Sequence, residues 1–131
     1  MQSRLLPLTS PDTEDRLHHA LSEDAVFHSP ARDYRGRADV THILMTIGSV
    51  VDEIEPGREL AAEGELITII GAAVGERRMT GVLHETYDAL GRVQSATLLL
   101  RPLSTLLDSI AAMREALERS PLPSALPPTL P

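Results

Sequence analysis

The sequence predicts an α+β domain, a curved antiparallel β-sheet packed on short helices, and three of its features carry that expectation. Residues 38–51 repeat apolar side chains at helical spacing, residues 58–100 switch to alternating or continuous apolar runs broken by turn signals, and residues 103–117 return to a helical stripe. A chain of 131 residues, 42% of them hydrophobic, can fill one core. A single domain over residues 1–120 is expected, followed by a Pro-rich tail over residues 121–131.

The run Ser10-Pro11-Asp12-Thr13-Glu14 has the form of a helix start: a hydroxyl at the N-cap, proline in the first turn and acids at the positive dipole end. It predicts a short helix to about Ser22. Residues 25–29 form a brief strand stopped by Pro30, and residues 31–36 read as an irregular loop. From Ala38, the residues Val40, Ile43, Leu44, Ile47 and Val51 share one face while Asp39, His42 and Thr46 fall between them, which predicts an amphipathic helix. Beyond Pro56-Gly57, strands are expected at residues 58–62, 65–75, 79–88 and 92–100. Glu63-Gly64 and Asp88-Ala89-Leu90-Gly91 supply tight turns between them. Pro102 opens a final helix whose stripe of Leu103, Leu106, Leu107, Ile110, Met113 and Leu117 docks on the sheet or on a partner. From Pro121 the chain has too few backbone donors for a regular element, so an extended or mobile tail is expected.

The net charge of −7 arises from 19 acidic residues against 12 arginines and no lysine, and it repels phosphate backbones and anionic membrane surfaces. Neither nucleic acid nor a membrane is expected as a partner. Without cysteine there is no disulfide framework, thiolate nucleophile or thiolate zinc site, and the redox compartment stays open. Phe27, Tyr34 and Tyr87 are the whole aromatic inventory, which argues against recognition by stacking. The first residues hold no apolar run of signal-peptide length and no stretch approaches a membrane span, so a cytoplasmic location is expected. His18 and His19 are adjacent on a helix and diverge by about 100° in azimuth, a poor geometry for shared ligation. Neither a metal nor a cofactor is expected.

The order helix, Ala25-Val26-Phe27-His28-Ser29-Pro30, Tyr34-Arg35-Gly36-Arg37, amphipathic helix, then hairpins ending in Asp88-Ala89-Leu90-Gly91-Arg92-Val93 resembles the nuclear-transport-factor-2-like superfamily over residues 14–100. That group includes ketosteroid isomerases, SnoaL-like polyketide cyclases and limonene epoxide hydrolases. The resemblance implies a cone whose mouth admits a small, mostly apolar molecule, here with an extra C-terminal helix, and a homodimer formed through the convex faces of the sheets. It also implies where isomerase residues should stand. The general-base aspartate precedes the proline of the first strand, where this chain has Ser29. The enolate-stabilising aspartate matches Leu83, and the enolate-binding tyrosine lies on an N-terminal helix with no counterpart here. The epoxide hydrolase tyrosine, asparagine and last-strand aspartate would fall at Phe27, Ser29 and near Leu98, and the resemblance to the cyclases implies a histidine–aspartate pair around the pocket that is not assigned to His28 or His84.

Regular alternation in the penultimate strand turns Leu83, Glu85 and Tyr87 inward and His84 and Thr86 outward. Glu85 is the candidate catalytic residue, because a carboxyl buried among aliphatic groups has a raised pKa and can act as a general acid or base near neutral pH. Its alternatives are a bulge that turns it to solvent or a pairing with Arg101. Phe27, Ser29, Tyr34, Leu83, Tyr87, Thr97 and Leu99 are the candidate ligand-binding residues. Ser29 either orients a ligand or satisfies the backbone near Pro30, and Tyr34 either caps the mouth or packs on the following helix. His28 and His84, the imidazoles nearest the expected pocket wall, are either catalytic or structural. The function expected is that of a pocket protein binding a small apolar metabolite, whether as an isomerase, cyclase or hydratase or as a non-catalytic ligand-binding or dimerisation module.

Overall fold

The structure is a computed structural model and describes residues 2–126. The element order is α1 (Thr13–Ala20), β1 (Leu21–His28), β2 (Asp33–Arg35), α2 (Arg37–Val50), β3 (Glu53–Ala62), β4 (Glu65–Val74), β5 (Arg77–Tyr87), β6 (Val93–Arg101) and α3 (Leu103–Arg119), closed by a 3-10 turn at Pro123–Ala125. The strands form one curved, open sheet in the order β2-β1-β6-β5-β4-β3, giving the expected α+β cone.

One pairing departs from the antiparallel expectation. β1 and β6 run parallel, with Phe27 opposite Ala96 and His28 opposite Thr97. A parallel pair needs a long crossover, and β2, α2 and the β3 to β5 meander supply it, returning β6 beside β1 in the same direction. The loop expected at residues 31–36 contains β2, whose Tyr34 pairs with Phe27. β3 starts before the Pro56-Gly57 breaker, and its register with β4 shifts between Pro56 and Glu59. On an edge strand a missing proline N–H costs no ladder bond, so Pro56 is tolerated at this irregularity.

Cross-strand partners share a face, so the register fixes what each face presents. Glu59, Thr68, Leu83 and Leu98 form one inward row, and Ala61, Leu66, Glu85 and Ala96 form the next. The convex rows are Leu60, Ile67, His84 and Thr97, then Ile69, Val82 and Leu99. Gly81 lets β5 and β6 close, since a Cβ there would lie 1.8 Å from the Leu99 carbonyl oxygen. α2 lays Val40, Ile43, Leu44 and Ile47 against the concave face, where they join Phe27, Leu83 and Leu98 in the core.

The chain after α3 is better anchored than its prolines suggest. Leu122 is buried, and Ser124 donates from its N–H to Asp39 Oδ1 at 3.0 Å and from its hydroxyl to Oδ2. Residues 127–131 of the expected tail lie outside the described residues. No helix among the described residues is long and apolar enough to cross a membrane.

Candidate functional site

The concave face carries two compartments that differ in what covers them. Over the inner one lies an N-terminal strap, residues 2–12, with no regular secondary structure. Leu5 is fully buried and Leu8 nearly so. Arg16 on α1 ties the strap down by donating to the carbonyl oxygens of Arg4 at 3.0 Å, Leu5 at 3.1 Å and Pro7. The Ser3 N–H donates to Glu59 at 3.0 Å. α2 admits the strap because position 48 has no side chain: a Cβ on Gly48 would sit 2.5 Å from the Leu8 carbonyl oxygen. Between Leu5, Leu6 and Leu8 on one side and Phe27, Leu83 and Leu98 on the other, about 30 Å³ remains.

Glu85 sits beneath this strap with no exposed surface. Its Oε1 accepts from the Arg4 N–H at 3.0 Å and from the Tyr87 hydroxyl at 3.3 Å, while Oε2 makes no hydrogen bond among the described residues. Burial raises its pKa; the nearby Ser3 hydroxyl, the Arg4 N–H and the Tyr87 hydroxyl offset part of that, and the Glu59 charge adds to it. Tyr87 is pushed far up by burial and by the Glu85 carboxylate, and the Arg4 guanidinium lies 5.4 Å from its ring centre. Glu85 therefore faces inward as alternation requires, pairing with neither solvent nor Arg101.

The outer compartment lies at the mouth, between β2, the end of β6, α2 and α3, and holds a cavity of about 470 Å³. Tyr34, Leu98 and Leu100 line it from the sheet, Ile43, Ile47 and Val51 from α2, and Leu106, Ile110, Met113 and Leu117 from α3. α3 is held over it from both ends. Arg77 on β5 pairs with Asp108 near its start, and His42 Nε2 meets the Ser120 carbonyl oxygen beyond its end at 2.7 Å. Tyr34 is buried, stacks on Phe27 with ring centres 6.3 Å apart, and has its pKa raised by burial despite the opposing charge of Arg32. The Ser29 hydroxyl borders the cavity but is engaged in its own turn, donating to the Arg32 carbonyl oxygen at 2.7 Å and accepting from the N–H groups of Ala31 and Arg32.

The candidate residues are thus divided. Ser29 and Tyr34 line the mouth cavity, Phe27 and Leu83 border the inner space, and Glu85 and Tyr87 sit under the strap. Thr97 and Leu99 do not join them. They alternate with the inward Ala96, Leu98 and Leu100, and Leu99 is 59% exposed on the convex face. His28 and His84 also face away from the cavity, paired with Asp33 at 2.7 Å and with Glu65 at 3.2 Å. No cluster of three or more histidine and carboxylate side chains among the described residues could hold a metal. Sequence reasoning missed the strap, whose signal is the apolar run Leu5-Leu6-Pro7-Leu8 before a helix start, and missed Arg32 and Arg114 at the cavity rim.

No family model matches the chain, and no curated protein matches it in sequence. Solved structures do. An uncharacterised bacterial protein with a cystatin-like fold from Silicibacter pomeroyi is 26% identical over 82% of this chain and 77% of its own, with a TM-score of 0.79. A steroid delta-isomerase from Pseudomonas aeruginosa is 30% identical over 81% of this chain and 80% of its own, with a TM-score of 0.77. The chain belongs to the nuclear-transport-factor-2-like superfamily. An NTF2-like protein of unknown function from Cytophaga hutchinsonii shares the fold at 9% identity, covering 72% of this chain and 81% of its own with a TM-score of 0.62. Of the two positions where the resemblance implies isomerase aspartates, Ser29 is engaged in a turn and Leu83 lies in the core.

Proposed function

We propose that this superfamily member binds a small, mostly apolar molecule in the cavity beneath α3 and does not isomerise it through the isomerase residues. One observation carries the reading: among the described residues the only carboxylate lining the cavity is Glu118, on the exposed last turn of α3, while Glu85 lies under the strap. Its volume of about 470 Å³ falls within the range of about 300–1,000 Å³ usual for ligand sites. The name of the Pseudomonas aeruginosa relative makes a steroid the first molecule to try. Adding a β,γ-unsaturated ketosteroid should shift the NMR methyl signals of Ile43, Met113 and Leu117 without producing conjugated enone above the buffer rate. Enone formation would overturn the non-catalytic part, and unmoved methyl signals would overturn the site.

A catalytic reading is favoured by the unpartnered Oε2 of Glu85. Withdrawal of the strap would bring Glu85 and Tyr87 into the cone as an acid–base pair for an isomerisation, cyclisation or hydration. Turnover by a variant lacking residues 2–8, abolished by Glu85→Gln, would select this reading.

The convex face supports pairing with a second copy. Leu60, Ile69 and Leu99 are 47%, 42% and 59% exposed there, and the polar side chains beside them, His84 and Glu65, already face each other at 3.2 Å. Light scattering should give twice the chain mass of 14.2 kDa, falling to one chain in Leu99→Glu.

A further inference from the structure

We infer that the ligand of the α3 cavity carries one anionic group, held by Arg32 and Arg114 at the rim while its apolar body lies against α2 and α3. The inference rests on the reading of this cavity as the ligand site. The chain as a whole is strongly acidic, at −7, yet this cavity gathers two guanidinium groups against one carboxylate. Among the described residues neither arginine has a carboxylate within ion-pair distance. Arg114 does not pair even with Glu118, one helical turn on; among the described residues only Arg77, Arg78 and Arg92 of the arginines form ion pairs.

Two further polar groups at the wall can donate. Tyr34 stays protonated, because burial raises its pKa, and Ser109 presents a buried hydroxyl from α3. Arg32 is held with its guanidinium 4.8 Å from the centre of the Tyr34 ring, so part of its conformational freedom is already lost before a ligand arrives. A neutral apolar ligand would use none of these donors. A carboxylate or sulfonate would meet planar guanidinium forks that match its geometry, next to apolar walls that strengthen the attraction. One anionic group suffices to use the two arginines, and Glu118 would oppose a second.

Two fluorescent probes isolate the charge: anilinonaphthalene sulfonate and N-phenylnaphthylamine share their fused rings and anilino nitrogen, and only the first is anionic. The intact protein should bind the sulfonate at least about tenfold more tightly than the neutral probe, the loss expected from one charge-assisted hydrogen bond. Arg32→Gln with Arg114→Gln should erase that margin and leave the neutral probe unaffected. Arg114→Gln alone, at an exposed helix position, should reduce it and serves where the double variant does not fold. Filling the cavity with Ile110→Trp should weaken both probes. Equal affinities in the intact protein, or a margin that survives loss of both arginines, would overturn the anionic ligand and leave the cavity reading standing. Failure of both probes to bind, or binding undiminished by Ile110→Trp, would overturn the two together.

Discussion

The two ends of the cone share a sheet, and Leu98 borders both, yet one end is filled and the other hollow. Over Glu85 the cover is an extended strap, thin enough to follow the concavity and to press its own carbonyl oxygens against Gly48 and Arg16. Over Tyr34 the cover is α3, a stiff cylinder about 10–12 Å across with its side chains. A cylinder laid across a curved surface bridges it and leaves space beneath. The same concave face thus becomes core or cavity according to the secondary structure of the segment that covers it, and the polar groups follow. Under the strap the carboxylate takes its donors from the chain itself, whereas under α3 the proposed site leaves its donors for a ligand.

The largest effect that would sharpen this contrast is in stability. Leu5→Ala removes a fully buried side chain from the filled end and should cost about 2–5 kcal/mol in urea unfolding. Leu117→Ala enlarges a cavity that already exists, at a half-buried position, and should cost no more than about 1 kcal/mol while weakening ligand binding. Equal costs at the two sites would mean that the mouth is packed as tightly as the interior.

Gly48→Ala probes the seating of the strap with a smaller change. Helix propensity alone would favour alanine by about 1 kcal/mol. The new Cβ would meet the Leu8 carbonyl oxygen at 2.5 Å, and that atom belongs to a backbone tied to α1 by Arg16, so it cannot simply swing away. A net loss of about 1–3 kcal/mol in thermal unfolding is expected. A gain would show that the strap does not rest on α2.

How far these features were legible in the sequence follows from how local their signals are. α2, α3 and the β4 to β6 hairpins announce themselves through periodicity and turn residues, and the inward parity of Glu85 follows from alternation alone. β1 begins at Leu21, earlier than expected, because Ser22, Glu23 and Asp24 dilute its apolar pattern. The misplacement of Thr97 and Leu99 has a similar cause. Leu98, Leu99 and Leu100 are consecutive leucines, so β6 gives no alternation from which to choose a face. The least legible feature is the partner of Glu85: the Arg4 N–H lies 81 residues away in sequence and acts through its backbone, which carries no residue-specific signal.

The smallest effect, and the one most specific to the filled end, is a pH dependence. Burial raises the pKa of Glu85 above its ordinary 4.5, so the folded chain holds a proton that the unfolded chain has begun to release. The stability arising from this shift is fully present below the ordinary value and is lost as pH rises through the raised one. Glu85→Gln keeps the shape and an acceptor for the Arg4 N–H but cannot ionise. The difference in unfolding free energy between the natural chain and the variant should therefore move against the natural chain as pH rises from about 4.5 toward neutrality. Parallel profiles would mean that water reaches Glu85 past the strap, and the distinction between a filled and a hollow end would fail at the residue that defines it.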